Sequence, residues 1–169
     1  MKKVGIFYGS TTGTTKDIAG RIATKLGVES SSVYDVADTA PSDVASYDVL
    51  LLGTSTWGAG EIQDDWEDFM AGLEVLDLSG KKVGLFGCGD ESMSDTFCNG
   101  VGILYDRLKG SGAQFIGGYG TVGYEFEESL AVSADAVEAV GLLIDDVNHS
   151  DTVDERIDGW VVEIKKEID

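Results

Sequence analysis

Val4-Gly5-Ile6-Phe7-Tyr8-Gly9-Ser10-Thr11-Thr12-Gly13-Thr14-Thr15 is an apolar run that empties into a turn rich in hydroxyls and glycine. Beyond it Ile18, Ala19, Ile22, Ala23 and Leu26 recur at helical spacing, so the turn is also the start of an amphipathic helix. The first N–H groups of a helix have no partner within it, and the helix dipole leaves partial positive charge at that end. A strand, a loop of small residues and a helix start together suit an anion. Gly9 and Gly13 let the main chain approach closely, and Ser10, Thr11, Thr12, Thr14 and Thr15 offer O–H donors.

The loop holds no cation; Lys16 comes only after it. A triphosphate-binding loop would end in Gly-Lys-Ser/Thr, whereas Gly13 is followed by Thr14. A dinucleotide loop would read Gly-x-Gly-x-x-Gly, and this one reads Gly-x-x-x-Gly. The remaining fit is a terminal phosphate monoester held by neutral donors, although an ordinary turn between strand and helix would read the same from the loop alone.

Further along, Ser32–Val36 reads as a short strand and Pro41 opens a brief helix or turn. Val49-Leu50-Leu51-Leu52 is apolar without a break, as in a strand covered on both faces. Residues 54–62 read as a loop, and Trp66, Phe69, Met70 and Leu73 as the inner face of a helix. Val83–Cys88 is a fourth strand, residues 89–96 a loop, and Phe97, Val101, Leu104 and Leu108 the inner face of the next helix. A fifth strand begins at Gln114–Gly118, breaks off over residues 119–139 and resumes at Val140–Asp145. Thr152-Val153-Asp154-Glu155 reads as a capping box for the final helix. Strands alternating with helices imply a doubly wound parallel sheet covered on both faces, and the 169 residues are expected to form a single domain, 1–169. The Gly/Ser/Thr-rich loops at 9–15, 54–62 and 88–96 all follow strands. They therefore share the carboxyl edge of the sheet, where open α/β folds bind ligands.

Twelve basic against thirty-one acidic residues leave a net charge of −19. Residues 26–80 contain twelve acids and no Lys or Arg, and residues 110–155 ten acids and again no base. Such a surface repels nucleic acid and anionic membranes and favours protein partners with basic docking surfaces, though the same charge would also serve solubility or a salty habitat. No apolar run is long enough to span a membrane, and Met1-Lys2-Lys3 leads straight into a strand rather than a signal sequence. A cytoplasmic location is expected, with Cys88 and Cys98 reduced.

Trp57 sits in a polar, glycine-flanked loop, unlike Trp66 and Trp160 on periodic faces, and an aromatic side chain there can stack on a flat ring system or serve as a packing anchor. With these three loops in order, the chain resembles a flavodoxin of the long-chain type. Residues 9–15 match that family's phosphate loop, Thr54-Ser55-Thr56-Trp57-Gly58 its first flavin loop, and Gly87-Cys88-Gly89-Asp90 with Ser94-Asp95-Thr96-Phe97 its second.

The resemblance implies a five-stranded parallel sheet of order 2-1-3-4-5, with an insertion interrupting the last strand. It also implies one non-covalently bound FMN in a low-potential electron carrier, expected to be a monomer, that works between a reductase donor and an acceptor enzyme. By the same resemblance Ser10, Thr11, Thr12, Gly13, Thr14 and Thr15 hold the phosphate and Trp57 covers one flavin face. The peptide joining Gly58 and Ala59 lies by flavin N5, in a loop that continues through Gly60. Backbone around Gly89 and Asp90 meets the pyrimidine edge, and Cys88 and Phe97 of the second loop are counted with the cofactor-binding residues. Where the family usually places a Tyr on the other flavin face, this loop is one residue shorter and Met93 is the nearest match.

Other chemistries fit less well. An FMN-dependent reductase of quinones or nitro compounds on the same fold would need a second pocket for a nicotinamide donor, and no fingerprint for one is present. Cys88 between Gly87 and Gly89 has the setting of a nucleophile, but His149 is the only histidine available as its base. The first strand ends in Tyr8-Gly9 rather than in the acids of a magnesium-dependent phosphoryl switch, and no His/Cys cluster has metal-ligand spacing.

Overall fold

The computed structural model describes residues 2–57, 60–132 and 138–168. Its centre is a parallel sheet of β1 (Val4–Gly9), β2 (Val33–Asp35), β3 (Val49–Trp57), β5 (Lys82–Cys88) and β6 (Gln114–Ile116) in the order β2-β1-β3-β5-β6. A further short strand, β9 (Leu142–Ile144), also pairs in parallel with β5, at Phe86–Cys88, whereas β6 pairs with it at Lys82–Gly84. Both therefore continue one edge position. Between them in sequence, β7 (Tyr119–Gly120) and β8 (Glu138–Ala139) form a small antiparallel ribbon.

Alternation along the strands sorts their side chains to two cores. Phe7, Leu50, Leu52, Val83 and Leu85 pack on one face against α2 (Trp66–Glu74) and α3 (Asn99–Leu108). Ile6, Tyr8, Val49, Leu51 and Phe86 pack on the other against α1 (Thr14–Leu26) and α4 (Val153–Ile168). Because β1, β3 and β5 are covered on both faces, their apolar runs are nearly continuous. In α1 the buried residues are Thr15, Ile18, Ala19, Ile22 and Ala23; in α4 they include Ile157, Trp160, Val161 and Ile164. Both sets have the i, i+3, i+4 spacing that makes a single helical stripe.

The structure departs from the sequence expectations in three places. Residues 54–57 were expected in a loop, yet β3 runs on to Trp57 and turns back antiparallel as β4 (Glu61–Ile62), pairing Thr56 with Ile62 and Trp57 with Glu61. Thr and Trp favour such a pleated position. The helix expected from Phe97 begins at Asn99, after Cys98 adopts a left-handed φ of 50°. Finally, the chain enters α4 through a 3-10 turn at Ser150–Thr152, and the Thr152 hydroxyl donates to the His149 carbonyl. Among the described residues no helix is long and apolar enough to cross a membrane.

Candidate flavin site

The strand ends β1, β3, β5 and β9 deliver their following segments to one edge of the sheet. The close approach at β1 depends on Gly9: a Cβ there would lie 2.3 Å from Gln63 Oε1 and 2.6 Å from Trp66 Cδ1. Gly13 ends the turn at φ 96°, a left-handed angle that an L side chain rarely adopts. Its N–H donates to Ser10 Oγ at 3.1 Å, and its carbonyl accepts the first α1 hydrogen bond from Asp17. Thr11 and Thr12 are exposed at the mouth, Thr14 is half-buried, and Thr15 is buried with its hydroxyl 3.5 Å from Cys88 Sγ.

Gln63, almost fully buried, ties this loop to the hairpin. Its amide nitrogen donates to Thr11 Oγ1 at 3.1 Å, and its backbone N–H donates to Thr54 Oγ1 at 3.2 Å. On the hairpin, Trp57 donates through Nε1 to Ser55 Oγ at 2.8 Å while the indole stays 38% exposed. Thr56 Oγ1 accepts from the Gly100 N–H, anchoring the hairpin to α3. Thr54 is fully buried. Gly60 has φ 96°, and a Cβ on it would lie 2.7 Å from Asn99 Nδ2, so this residue too is fixed by close packing. The peptide of Gly58 and Ala59 lies outside the described residues.

These elements enclose a shallow cleft of about 190 Å³. Thr12 and Thr14 lie on one side of it, Ser55, Thr56 and Trp57 on another, and Cys88, Gly89 and Asp90 along the β5 end. Asp146 and Val147, which follow β9, complete the wall. Two larger hollows occur elsewhere: one of about 610 Å³ by Lys2, Lys3 and Lys165, the other of about 670 Å³ along α1. Neither joins hydroxyl donors to an exposed aromatic ring, so chemistry rather than size singles out the smaller cleft.

No Lys or Arg is among the described residues that line it. Asp90 stays ionised. The Ser92 hydroxyl, the Ser92 N–H and the Asn148 amide all donate to it and hold its carboxyl below the usual carboxylate range. Burial pushes the Cys88 thiol up to about 12, only partly opposed by the hydrogen bond from Thr15. Cys98 is raised well above an ordinary thiol, first by burial. Neither cysteine is poised as a nucleophile.

The flavodoxin family model matches residues 6–160. Flavodoxin 1 of Escherichia coli (strain K12) is 43% identical over 169 residues, 99% of this chain and 96% of that protein. The chain belongs to the flavodoxin family. Flavodoxin of Haemophilus influenzae is 41% identical over 99% of this chain and 97% of its own length. The crystal structure of Fusobacterium nucleatum flavodoxin bound to flavin mononucleotide superposes with a TM-score of 0.90 at 33% identity, covering 99% of both chains.

Against the flavodoxin pattern, the structure gathers Thr12, Thr14, Ser55, Thr56, Trp57, Cys88, Gly89 and Asp90 at one cleft. Ser10, Thr11, Gly13, Thr15, Thr54, Gly60, Met93 and Phe97 are not among the described residues that line it. Phe97 is fully buried, stacked on Phe126 at 4.8 Å and edge-on to Tyr124 at 5.3 Å; its ring belongs to the core beneath the second loop. Met93 is half-exposed, in a turn whose N–H bonds back to the Asp90 carbonyl, and does not line the cleft. Sequence reasoning missed Gln63, Asp146 and Val147. The last two had a signal: they follow the last strand, so they must emerge at the same edge as the other loops.

Proposed function

We propose that this cleft holds one FMN, with Ser10–Thr15 around the phosphate and Trp57 over one face of the ring. As a flavodoxin, the protein is an electron carrier and FMN its cofactor. The observation that carries the residue assignment is that Thr12 and Thr14 share a cleft with an exposed Trp57. Neutral donors at the start of α1 suit a phosphate monoester, and an indole suits a flat, mostly apolar ring. The hairpin residues Thr54, Ser55, Thr56 and Gly60 fix where Trp57 stands, and backbone at Cys88, Gly89 and Asp90 offers the hydrogen-bonding edge for the pyrimidine.

When bound, the flavin supplies the redox chemistry. The chain shields the ring and surrounds it with a field opposing added negative charge: Asp90 and Asp146 line the cleft, and the whole protein carries −19. That field lowers the potential for full reduction. The same acidic surface docks basic faces of a donor reductase and an acceptor enzyme, and is strongest at low salt. A single-domain, cytoplasmic monomer meets these demands.

The test is titration of the apoprotein with FMN, followed by stepwise anaerobic reduction. One equivalent of FMN should bind, and the bound flavin should accept electrons in two separate one-electron steps, the second at the lower potential. A single two-electron step would overturn the carrier reading and favour a two-electron flavoenzyme.

A further inference from the structure

A flat ring has two faces, and the expected side chains account for one. Trp57 lines the cleft, whereas Met93 does not. Apart from Trp57 and the thiol of Cys88, the only apolar side chain among the described lining residues is Val147. Val147 is 72% exposed and belongs to neither core, so packing within the chain gives it no role.

Its position is nevertheless fixed. Asp145 is fully buried, and its carboxylate accepts four N–H groups: Val147 N at 3.0 Å, Asn148 N at 2.9 Å, Asn148 Nδ2 at 2.8 Å and Glu91 N at 3.0 Å. Two of these fold the turn that presents Val147, and a third comes from the second flavin loop. Asn148 Nδ2 also reaches Asp90 Oδ1 at 2.8 Å. The turn after β9 and the loop after β5 are thus fastened to each other around one buried carboxylate. A β-branched side chain on such a turn has few rotamers to lose on contact with a ligand, and its wall is built before the ligand arrives.

We propose that Val147 is a contact residue for the bound flavin, covering the ring face opposite Trp57 in place of an aromatic residue from the second loop. The proposal rests on the reading that Trp57 and this cleft hold FMN, and the experiment separates the two. Apoprotein carrying Val147→Ser, Met93→Ala or Trp57→Ala is titrated with FMN and with riboflavin, which has the ring but no phosphate. Val147→Ser should raise Kd roughly five- to tenfold, the scale of losing part of one buried valine. The factor should be equal for the two ligands, because the contact is with the ring. Met93→Ala should stay within about twofold of the parent.

If Trp57→Ala weakens binding and Val147→Ser does not, Val147 is no contact and the proposal fails while the site stands. Loss of FMN affinity with riboflavin affinity unchanged would put Val147 at the phosphate end and also overturn it. Should neither Trp57→Ala nor Val147→Ser change either affinity, the site itself is misplaced and both readings fall.

Discussion

At the amino end of the sheet, lysines close onto carbonyl groups; at the carboxyl end of the same strands, no lysine is used and hydroxyls, glycines and a tryptophan stand open. Lys81 donates through Nζ to the carbonyls of Ala45 and Tyr47, and Lys82 to those of Glu167 and Ile168 at the end of α4. The Lys3 N–H donates to Asp48 Oδ2 at 2.8 Å. Lys81 and Lys82 thus answer partial negative charge left by helix ends. At the other end the first N–H groups of α1 and the exposed Thr11 and Thr12 remain for a ligand. A protein of charge −19 can therefore hold a phosphate without a cationic side chain in the cleft, provided the local donors outweigh the distant field.

The largest expected effect comes from cancelling that local advantage. Thr12 is exposed and lines the cleft, so Thr12→Glu should fold. A carboxylate about 5 Å from a phosphate charge costs about 3 kcal/mol at an effective dielectric near 20. FMN affinity should fall about 100-fold or more. Riboflavin affinity should change by only a few fold, and calorimetry of the apoprotein should show Tm almost unchanged. Equal loss for both ligands would mean that residues 10–15 do not face the phosphate.

The mirror-image substitution at the amino end should be felt by the fold and not by the ligand. Lys82→Met removes the cation at the end of α4, with an expected cost of about 0.5–1 kcal/mol. For a chain of this size that lowers Tm by about 1–4 °C, with FMN Kd unchanged. A shift in Kd would show that the two ends communicate through β5.

What the sequence made legible follows the range of the interactions involved. The order of elements and the shared edge of their loops were readable because apolar alternation and Gly/Ser/Thr turns are local signals. Phe97 carried two local signals that disagreed, helical periodicity pointing inward and a motif match pointing to the ligand. In the fold its ring stacks on Phe126, which comes from a segment with no periodicity of its own. Asp145 looked like the polar end of a strand, and its full burial is explained only by donors from Glu91 and from its own turn. The turn it builds reads Asp-Asp-Val-Asn, without the glycines and hydroxyls that marked the other three loops, so Val147 carried no compositional flag. Trp57 stands out by its polar surroundings and lines the cleft, although the hairpin beneath it reads as a loop because Gly58 and Gly60 mask the pairing of Thr56 with Ile62.

The smallest expected effect is a null result that bears on how rigid the open end is. Cys88 closes β5 at the cleft, and Cys98 lies just before α3; both are buried. Burial raises both thiols, Cys88 to about 12. A raised thiol holds its proton as pH rises, so at pH 8 only about one Cys88 in ten thousand is the reactive thiolate. Iodoacetamide at pH 8 should therefore leave both cysteines of the native apoprotein unmodified by mass spectrometry, while both react in denaturant. Local opening would expose a thiol of ordinary acidity, so modification of Cys88 alone, without loss of the folded signal, would show that the cleft wall opens in the absence of ligand. Protection of Cys88 by FMN would then measure how far binding closes it. Lack of reaction without ligand means instead that the carboxyl end, although open to FMN, is firmly packed beneath its loops.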